Sequence, residues 1–319
     1  MEKKRSSRNK TLSLNDEERS LYKKNLIYEI KNAHIDSLIN KTICSDLFSV
    51  IDALPAASVD LLILDPPYNL AKNFHGFRFS QKDDEAYLDY LRSWFPKLMR
   101  CLKADASIYL CGDWKNTYCL YRIMSEYTIV RNRIIWQREK GRGAKQNWKN
   151  ATEDIWFGTV GNEYYFDVEA VKQKRRVLAP YRKDGKPKDW EETEDGNFRL
   201  SFPSNFWDDI SIPYWSMKEN TDHPTQKPEK LIAKLILASC PVKGIVLDPF
   251  LGSGTTSVVA KKLGRNYIGI EMNEEYCLWA EKRLEQAKTE KTIQGYTDGV
   301  FWERNTLQFQ NKKQININR

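Results

Sequence analysis

Residues 59–65, VDLLILD, constrain the fold most: four apolar residues run unbroken from Leu61 to Leu64, and an acid closes the run. A strand with one wet face alternates apolar and polar side chains, whereas an unbroken run needs cover on both faces. The pattern returns in ASIYLCG (106–112), GIVLDPF (244–250) and NYIGIEM (266–272). KTICSDLF (41–48), RNRIIWQ (131–137) and EDIWFGTV (153–160) read as further strands. Between them, residues 84–103 place Tyr87, Leu88, Leu91, Phe95, Leu98 and Leu102 at helical spacing, and 228–240 and 274–288 also read as helices. Strands alternating with helices predict an α/β chain with a doubly wound, mostly parallel sheet.

The chain has 319 residues, enough for one large domain with an insertion or for two domains. It is 41% hydrophobic with no run of about 18 apolar residues, so it supports a core and predicts no membrane span. The basic start MEKKRSSRNK has no apolar stretch behind it, which argues against a secretory signal and for a cytoplasmic protein. Six scattered cysteines without a C-x-x-C pair, and only three histidines, argue against a metal centre. A net charge of +8 permits a polyanionic partner. The chain divides into a basic, flexible arm (1–27), a first α/β half (28–160), a stretch without periodicity (161–222), a second α/β half (223–288) and a polar tail (289–319), expected to be poorly ordered.

Three motifs carry chemistry. DPPY (65–68) ends the first buried strand. HPTQKP (223–228) precedes a helix. FLGSGTT (250–256) follows the strand ending at Asp248, and a later strand ends at Glu271. In a doubly wound sheet, a tight glycine turn and an acid at the next strand end are where a nucleoside cofactor binds, the acid taking ribose hydroxyls. Neither a full G-x-G-x-x-G nor a Walker A loop is present. Taken singly, the glycine pair suits any tight turn, HPTQKP a proline-bounded loop, and DPPY a strand stopped by prolines. Together and in this order they resemble the amino-group DNA methyltransferases, and the order with a basic stretch between resembles their beta class, found in restriction–modification systems. The resemblance spans residues 40–288 and is weakest over 161–222.

The resemblance implies a seven-stranded, Rossmann-like methyltransferase sheet, S-adenosylmethionine as cofactor and double-stranded DNA as partner. It is compatible with pairing to a restriction endonuclease and with a homodimer. An exocyclic base amine is a poor nucleophile because its lone pair is delocalised into the ring. Acceptors for both amine hydrogens free that pair. Asp65 would supply a carboxylate, and Pro66 its carbonyl, held by the rigid Pro66-Pro67 pair. Tyr68 would stack on a base flipped out of the duplex. The amine would then attack the sulfonium methyl in line, with positioning as the main catalytic device.

Carried over residue by residue, Phe250, Gly252 and Gly254 would shape the turn beside the methionine moiety. Ser253 and Thr255 would bond its carboxylate or amine, Lys227 would pair with the carboxylate, and Glu271 would hold the ribose. Asp46 would approach the adenine ring, a solvated strand-end acid being nearly as good a reading there. Asp65 could also touch the methionine amine. DNA contacts are expected from the target-recognition region 161–222, where residues 171–188 hold eight basic residues and one acid. Arg175, Arg176, Arg182 and Lys183 would meet phosphates. A loop at 138–150, with Arg142, Lys145, Trp148 and Lys149, would close over the base, as would residues 69–84.

Asp at the first motif position leans toward adenine N6 in this family. Cytosine N4 is the rival, and an inactive DNA-binding relative or an RNA substrate are further alternatives. Carbon-5 methylation is disfavoured because no Pro-Cys dipeptide occurs.

Overall fold

The computed structural model describes residues 6–31, 33–69, 72–74, 77–79, 81–138, 146–177, 181–193 and 196–304. In chain order, the elements that position the site are α1 (Asp16–Lys23), β1 (Lys41–Cys44), β2 (Val59–Leu64), α2 (Asp84–Met99), β3 (Leu102–Gly112), α3 (Thr117–Tyr127), β4 (Ile129–Gln137) and β5 (Thr152–Thr159). Then follow β6 (Gln173–Arg176), β7 (Glu191–Thr193), β8 (Gly196–Ser201), β9 (Phe206–Trp207), α4 (Glu229–Ser239), β10 (Ile245–Asp248), α5 (Thr255–Lys262), β11 (Asn266–Glu271), α6 (Glu274–Gln286), β12 (Tyr296–Thr297) and β13 (Val300–Trp302).

Among the described residues the central sheet has eight strands, in the order β1-β11-β10-β2-β3-β5-β4-β9. The first five are mutually parallel, β5 runs antiparallel to both of its neighbours, and β9 runs parallel to β4. The doubly wound expectation holds, with one strand more than the seven expected. The extra strand, β9, is a two-residue edge beside Ile135 and Trp136, too short to leave a periodic trace.

The unbroken apolar runs are explained by two cores, one on each face. Leu62 and Leu64 of β2 point into the core formed with α2 and α3, while Leu61 and Ile63 point into the core formed with α4 and α5. All four are at most 1% exposed. Truncating such a residue to Ala costs about 2–5 kcal/mol, and here it would also loosen the strand that delivers Asp65. Helix α2 starts where the Asp83 side chain accepts from the Ala86 N–H. It ends at Met99, earlier than expected, and β3 begins already at Leu102.

Two further expectations are corrected. The N-terminal segment is not a free arm over its described part. Asn15 and Glu18 form a reciprocal cap on α1, and Leu12, Tyr22 and Leu26 pack on Tyr276, Cys277, Leu278 and Trp279 of α6. Ion pairs Lys23–Glu274 and Lys282–Glu18 border this contact. The C-terminal tail is ordered over its described part. Strands β12 and β13 join a second sheet, β7-β8-β6-β13-β12, with Phe301 fully buried and Trp302 3% exposed. A few aromatics in a polar stretch suffice to dock it. Asp209, in the same region, is buried and pairs with Lys230 and Lys234 of α4. Lys234 also lies over the rings of Trp207 and Phe301, so helix, insert and tail meet at one buried ammonium.

Candidate active site

Because β1, β11, β10 and β2 are parallel, their carboxyl ends share one edge of the sheet. The chain winds outward from β10 through β11 in one direction and from β2 to β3 in the other, and the crevice at such a switch point is the usual ligand site. A cavity of about 350 Å³ opens there. Asp46, Asp65, Tyr68, Lys227, Asp248 and Glu271 line it, together with the glycine turn.

The turn after β10 needs glycine at two places. Gly252 has φ +54° and Gly254 φ +84°, the left-handed region that side chains disfavour. A Cβ on Gly254 would lie 2.4 Å from the Ala280 Cβ, so this glycine lets α5 pack against α6. A Cβ on Gly252 would lie 3.0 Å from His223 Nε2, on the cavity wall. Glu271 ties the turn down, accepting from the Gly252 N–H at 2.9 Å and the Asn273 N–H at 2.9 Å. Burial raises its pKa, and these backbone donors oppose the rise. Beneath the turn, the Arg283 guanidinium donates to the Ser253 carbonyl at 2.8 Å, the Thr255 hydroxyl at 3.0 Å and Glu229 at 3.0 Å.

Across the cavity, Asp65 sits in a cluster of charge. Lys227 Nζ donates to Asp65 Oδ2 at 2.6 Å and to the Tyr68 hydroxyl at 3.0 Å. The Tyr68 hydroxyl is 2.9 Å from Asp65 Oδ1 and 3.2 Å from Glu153 Oε2. Burial and the Asp65 charge push the Tyr68 pKa well up, so the hydroxyl keeps its proton and donates. Glu153, 1% exposed, lies 3.4 Å from Lys227 Nζ and is bonded at its other oxygen by Arg138. Asp248, buried at the end of β10, is pushed up to about 7 by burial, against donation from the Thr256 hydroxyl and the Phe250 N–H.

The structure thus brings Asp65, Pro66, Pro67, Tyr68, Lys227, Phe250, Gly252, Ser253, Thr255 and Glu271 to one cavity. Gly254 backs it from the helix side. Asp46 stands exposed at the rim, its carboxylate accepting from the Phe48 N–H at 3.0 Å. The Thr255 hydroxyl donates inward to the Lys227 carbonyl at 3.1 Å rather than into the cavity. Lys227, expected to face a cofactor carboxylate, is bound instead to Asp65.

Of the residues expected to meet DNA, Arg175 and Arg176 lie on β6 in the second sheet, whereas Arg182 and Lys183 form one arm of a small hairpin with Lys186–Pro187. Arg182 pairs with Glu192 and lies over the Trp190 ring. Lys149 and Trp148 are exposed. Arg142 and Lys145 fall outside the described residues, as do parts of 69–84. Sequence reasoning missed Glu153, Arg138 and the titrating Asp248. The signal for Glu153 was the acidic pair opening the apolar run EDIWFGTV, since an acid in a buried strand needs a partner.

A cavity at the carboxyl edge of a doubly wound sheet, floored by a glycine turn and flanked by a strand-end acid, marks an α/β protein that binds a nucleoside cofactor. The chain belongs to the N6/N4 DNA methylase family, whose model matches residues 59–282. It is 36% identical to the DNA adenine methyltransferase YhdJ of Escherichia coli K12, over 76% of this chain and 81% of that one. It is 32% identical to the type II methyltransferase M.HpaI of Haemophilus parainfluenzae, over 77% and 74%. In fold it is similar to the M1.HpyAVI–SAM complex (TM-score 0.51, 24% identity, 76% and 98% covered). It is likewise similar to the cytosine-N4-specific PvuII DNA methyltransferase (0.57, 18%, 83% and 92%).

The chain is therefore an S-adenosylmethionine-dependent DNA methyltransferase of the amino-group type. Its residues fit that cofactor: the side-chain-free wall at Gly252, the buried carboxyl of Asp248 and the half-buried one of Glu271 suit a cationic nucleoside. Among the described residues no helix is long and apolar enough to cross a membrane.

Proposed function

We propose that the chain methylates the N6 amine of adenine in double-stranded DNA at a specific sequence, protecting it from a partner restriction endonuclease or acting without one. The observation that carries this reading is Asp65, held at the mouth of the cavity by Lys227 at 2.6 Å and Tyr68 at 2.9 Å. Its carboxylate and the Pro66 carbonyl take the two amine hydrogens, which localises the nitrogen lone pair. The Tyr68 ring stacks on the flipped base. S-adenosylmethionine supplies the methyl group from its sulfonium centre. Phe250, Gly252 and Ser253 hold its methionine end on the turn that Gly254 and Thr255 shape from behind, Glu271 holds the ribose, and Asp46 stands beside the adenine.

An acid at the first motif position, as against serine, supports adenine over cytosine, and so does the adenine activity named for the 36%-identical relative. The type II methyltransferase similarities support the link to restriction. The insert carrying Arg175, Arg176, Arg182 and Lys183, with the exposed Lys149, contacts the duplex. The test is to express the chain in a methylation-free host and identify the modified base by single-molecule sequencing and nucleoside mass analysis. N6-methyladenine at one sequence is expected; N4-methylcytosine alone would overturn the adenine assignment.

A further inference from the structure

Both carboxylate oxygens of Asp65 are already taken. The Tyr68 hydroxyl sits at 2.9 Å on Oδ1 and the Lys227 ammonium at 2.6 Å on Oδ2. Each oxygen can accept a second hydrogen bond, but the ammonium at 2.6 Å holds Oδ2 toward itself, and a base amine that draws the carboxylate its way lengthens that contact. Lys227 is 7% exposed, so its ammonium cannot be released to water and needs another anion. Glu153 Oε2 is that anion, 3.4 Å from Nζ and 3.2 Å from the Tyr68 hydroxyl. Reaching a normal charged hydrogen bond of about 2.8 Å asks Nζ to move roughly half an ångström. Arg138 on the far oxygen of Glu153 keeps a counter-charge on it.

We infer that Glu153 is a positioning residue of the reaction, the carboxylate that receives the Lys227 ammonium and the Tyr68 hydroxyl when Asp65 turns to the base amine. This rests on the reading of Asp65 as the amine's acceptor. The handover is a change of hydrogen-bond partner with no proton transferred, so the cluster of Asp65, Glu153, Lys227 and Arg138 keeps its net charge. Asp113 acts on Arg138, and the other titratable groups around the cluster among the described residues are Tyr68 after β2, Cys111 at the end of β3 and Asp248 at the end of β10. Burial raises the pKa of all three, Cys111 to about 12 and Asp248 to about 7.

The test compares single-turnover methyl transfer to duplex DNA by the full chain, wild type against Glu153→Gln. The amide keeps the shape and loses the charge, so Lys227 stays on Asp65. At pH 7 the variant should be slower by at least about tenfold, the worth of one hydrogen bond to a charged group, with S-adenosylmethionine affinity unchanged.

In a Lys227→Met background, where no ammonium needs a new partner, Glu153→Gln should cost much less. The same penalty in both backgrounds would overturn the inference. If Glu153→Gln does not fold, Glu153→Asp keeps the charge but draws it back from Lys227, and a slow rate that Lys227→Met relieves is expected. A wild-type rate in Asp65→Asn would instead overturn the parent reading, whatever Glu153 does.

Discussion

Lys227 and Asp65 stand 162 residues apart in the chain and are joined by a 2.6 Å ion pair. HPTQKP and DPPY, on opposite sides of the insert, are thus one site. The lysine has a second carboxylate in Glu153, and the aspartate a second donor in Tyr68. Removing either member therefore leaves the other with a partner, so the fold should outlast the loss of function.

Asp65→Asn and Asp65→Ala test this directly. The amine loses its charged acceptor, and turnover should fall by about 10²–10³-fold, as for the loss of a preorganised polar contact in other enzymes. The thermal midpoint of Asp65→Asn should move little, because Glu153 still neutralises Lys227. Methyl incorporation into duplex DNA and a melting curve give both readings. Turnover near wild type would contradict the activation scheme.

Tyr68 separates stacking from hydrogen bonding. Sequence alone suggests that Tyr68→Phe keeps much of the activity. The structure changes that expectation, because the hydroxyl bridges Asp65, Glu153 and Lys227. Losing it leaves buried acceptors short of a donor, about 1–3 kcal/mol. Tyr68→Phe should therefore be slower by about tenfold, and Tyr68→Ala slower still by the stacking of one base, about 1–3 kcal/mol. Equal loss in both variants would assign the whole effect to the hydroxyl.

Asp248 makes stability and cofactor binding depend on pH. Its folded pKa of about 7 stands above the 3.8 of a free aspartate side chain, so the folded state holds the proton more tightly. The sign is opposite to that of a salt-bridged acid: the group carries no penalty below about pH 4, and the penalty grows as pH rises to about 7. Asp248→Asn should raise the melting temperature relative to wild type more at pH 8 than at pH 5. The cationic cofactor favours the ionised carboxylate, so wild-type affinity should rise from pH 6 to 8 and the variant's should stay flat. Calorimetric titration at those pH values checks it; parallel curves would remove Asp248 from the cofactor's charge balance.

What was legible in the sequence follows from the range of the interactions. Leu61 to Leu64 announce a strand covered on both faces because burial leaves a local pattern. The spacing from Gly252 and Gly254 to Glu271 is likewise set by one β-α-β unit. Glu153 was not legible because its meaning depends on Tyr68, 85 residues away, and on a sheet order that puts β5 beside β3. Phe301 and Trp302 were hidden for a related reason. Each looks incidental in a polar tail, and only β6, more than a hundred residues upstream, gives them a core to enter.

Arg175 and Arg176 offer the test of how the insert meets DNA. Both lie on β6, but their surroundings differ. The Arg175 guanidinium donates to Gln173 Oε1 at 3.1 Å and lies 3.9 Å from Glu303, whereas Arg176 is exposed and meets Glu303 through its backbone N–H at 3.0 Å. Each cation on a phosphate adds about 0.9 to the slope of log affinity against log salt. Arg176→Gln should flatten the slope by about that amount, Arg175→Gln by less because Glu303 already offsets part of its charge, and the pair by up to about 1.8. Affinity for cognate and scrambled duplexes should drop alike, and S-adenosylmethionine binding should hold, since neither arginine lines the cavity. If these side chains read base edges, the double variant would lose its preference for the cognate site while non-specific binding persisted. An unchanged slope with an unchanged preference would mean that these two side chains of β6 face water, and the contacts to DNA would have to come from the hairpin at Arg182 and Lys183 instead.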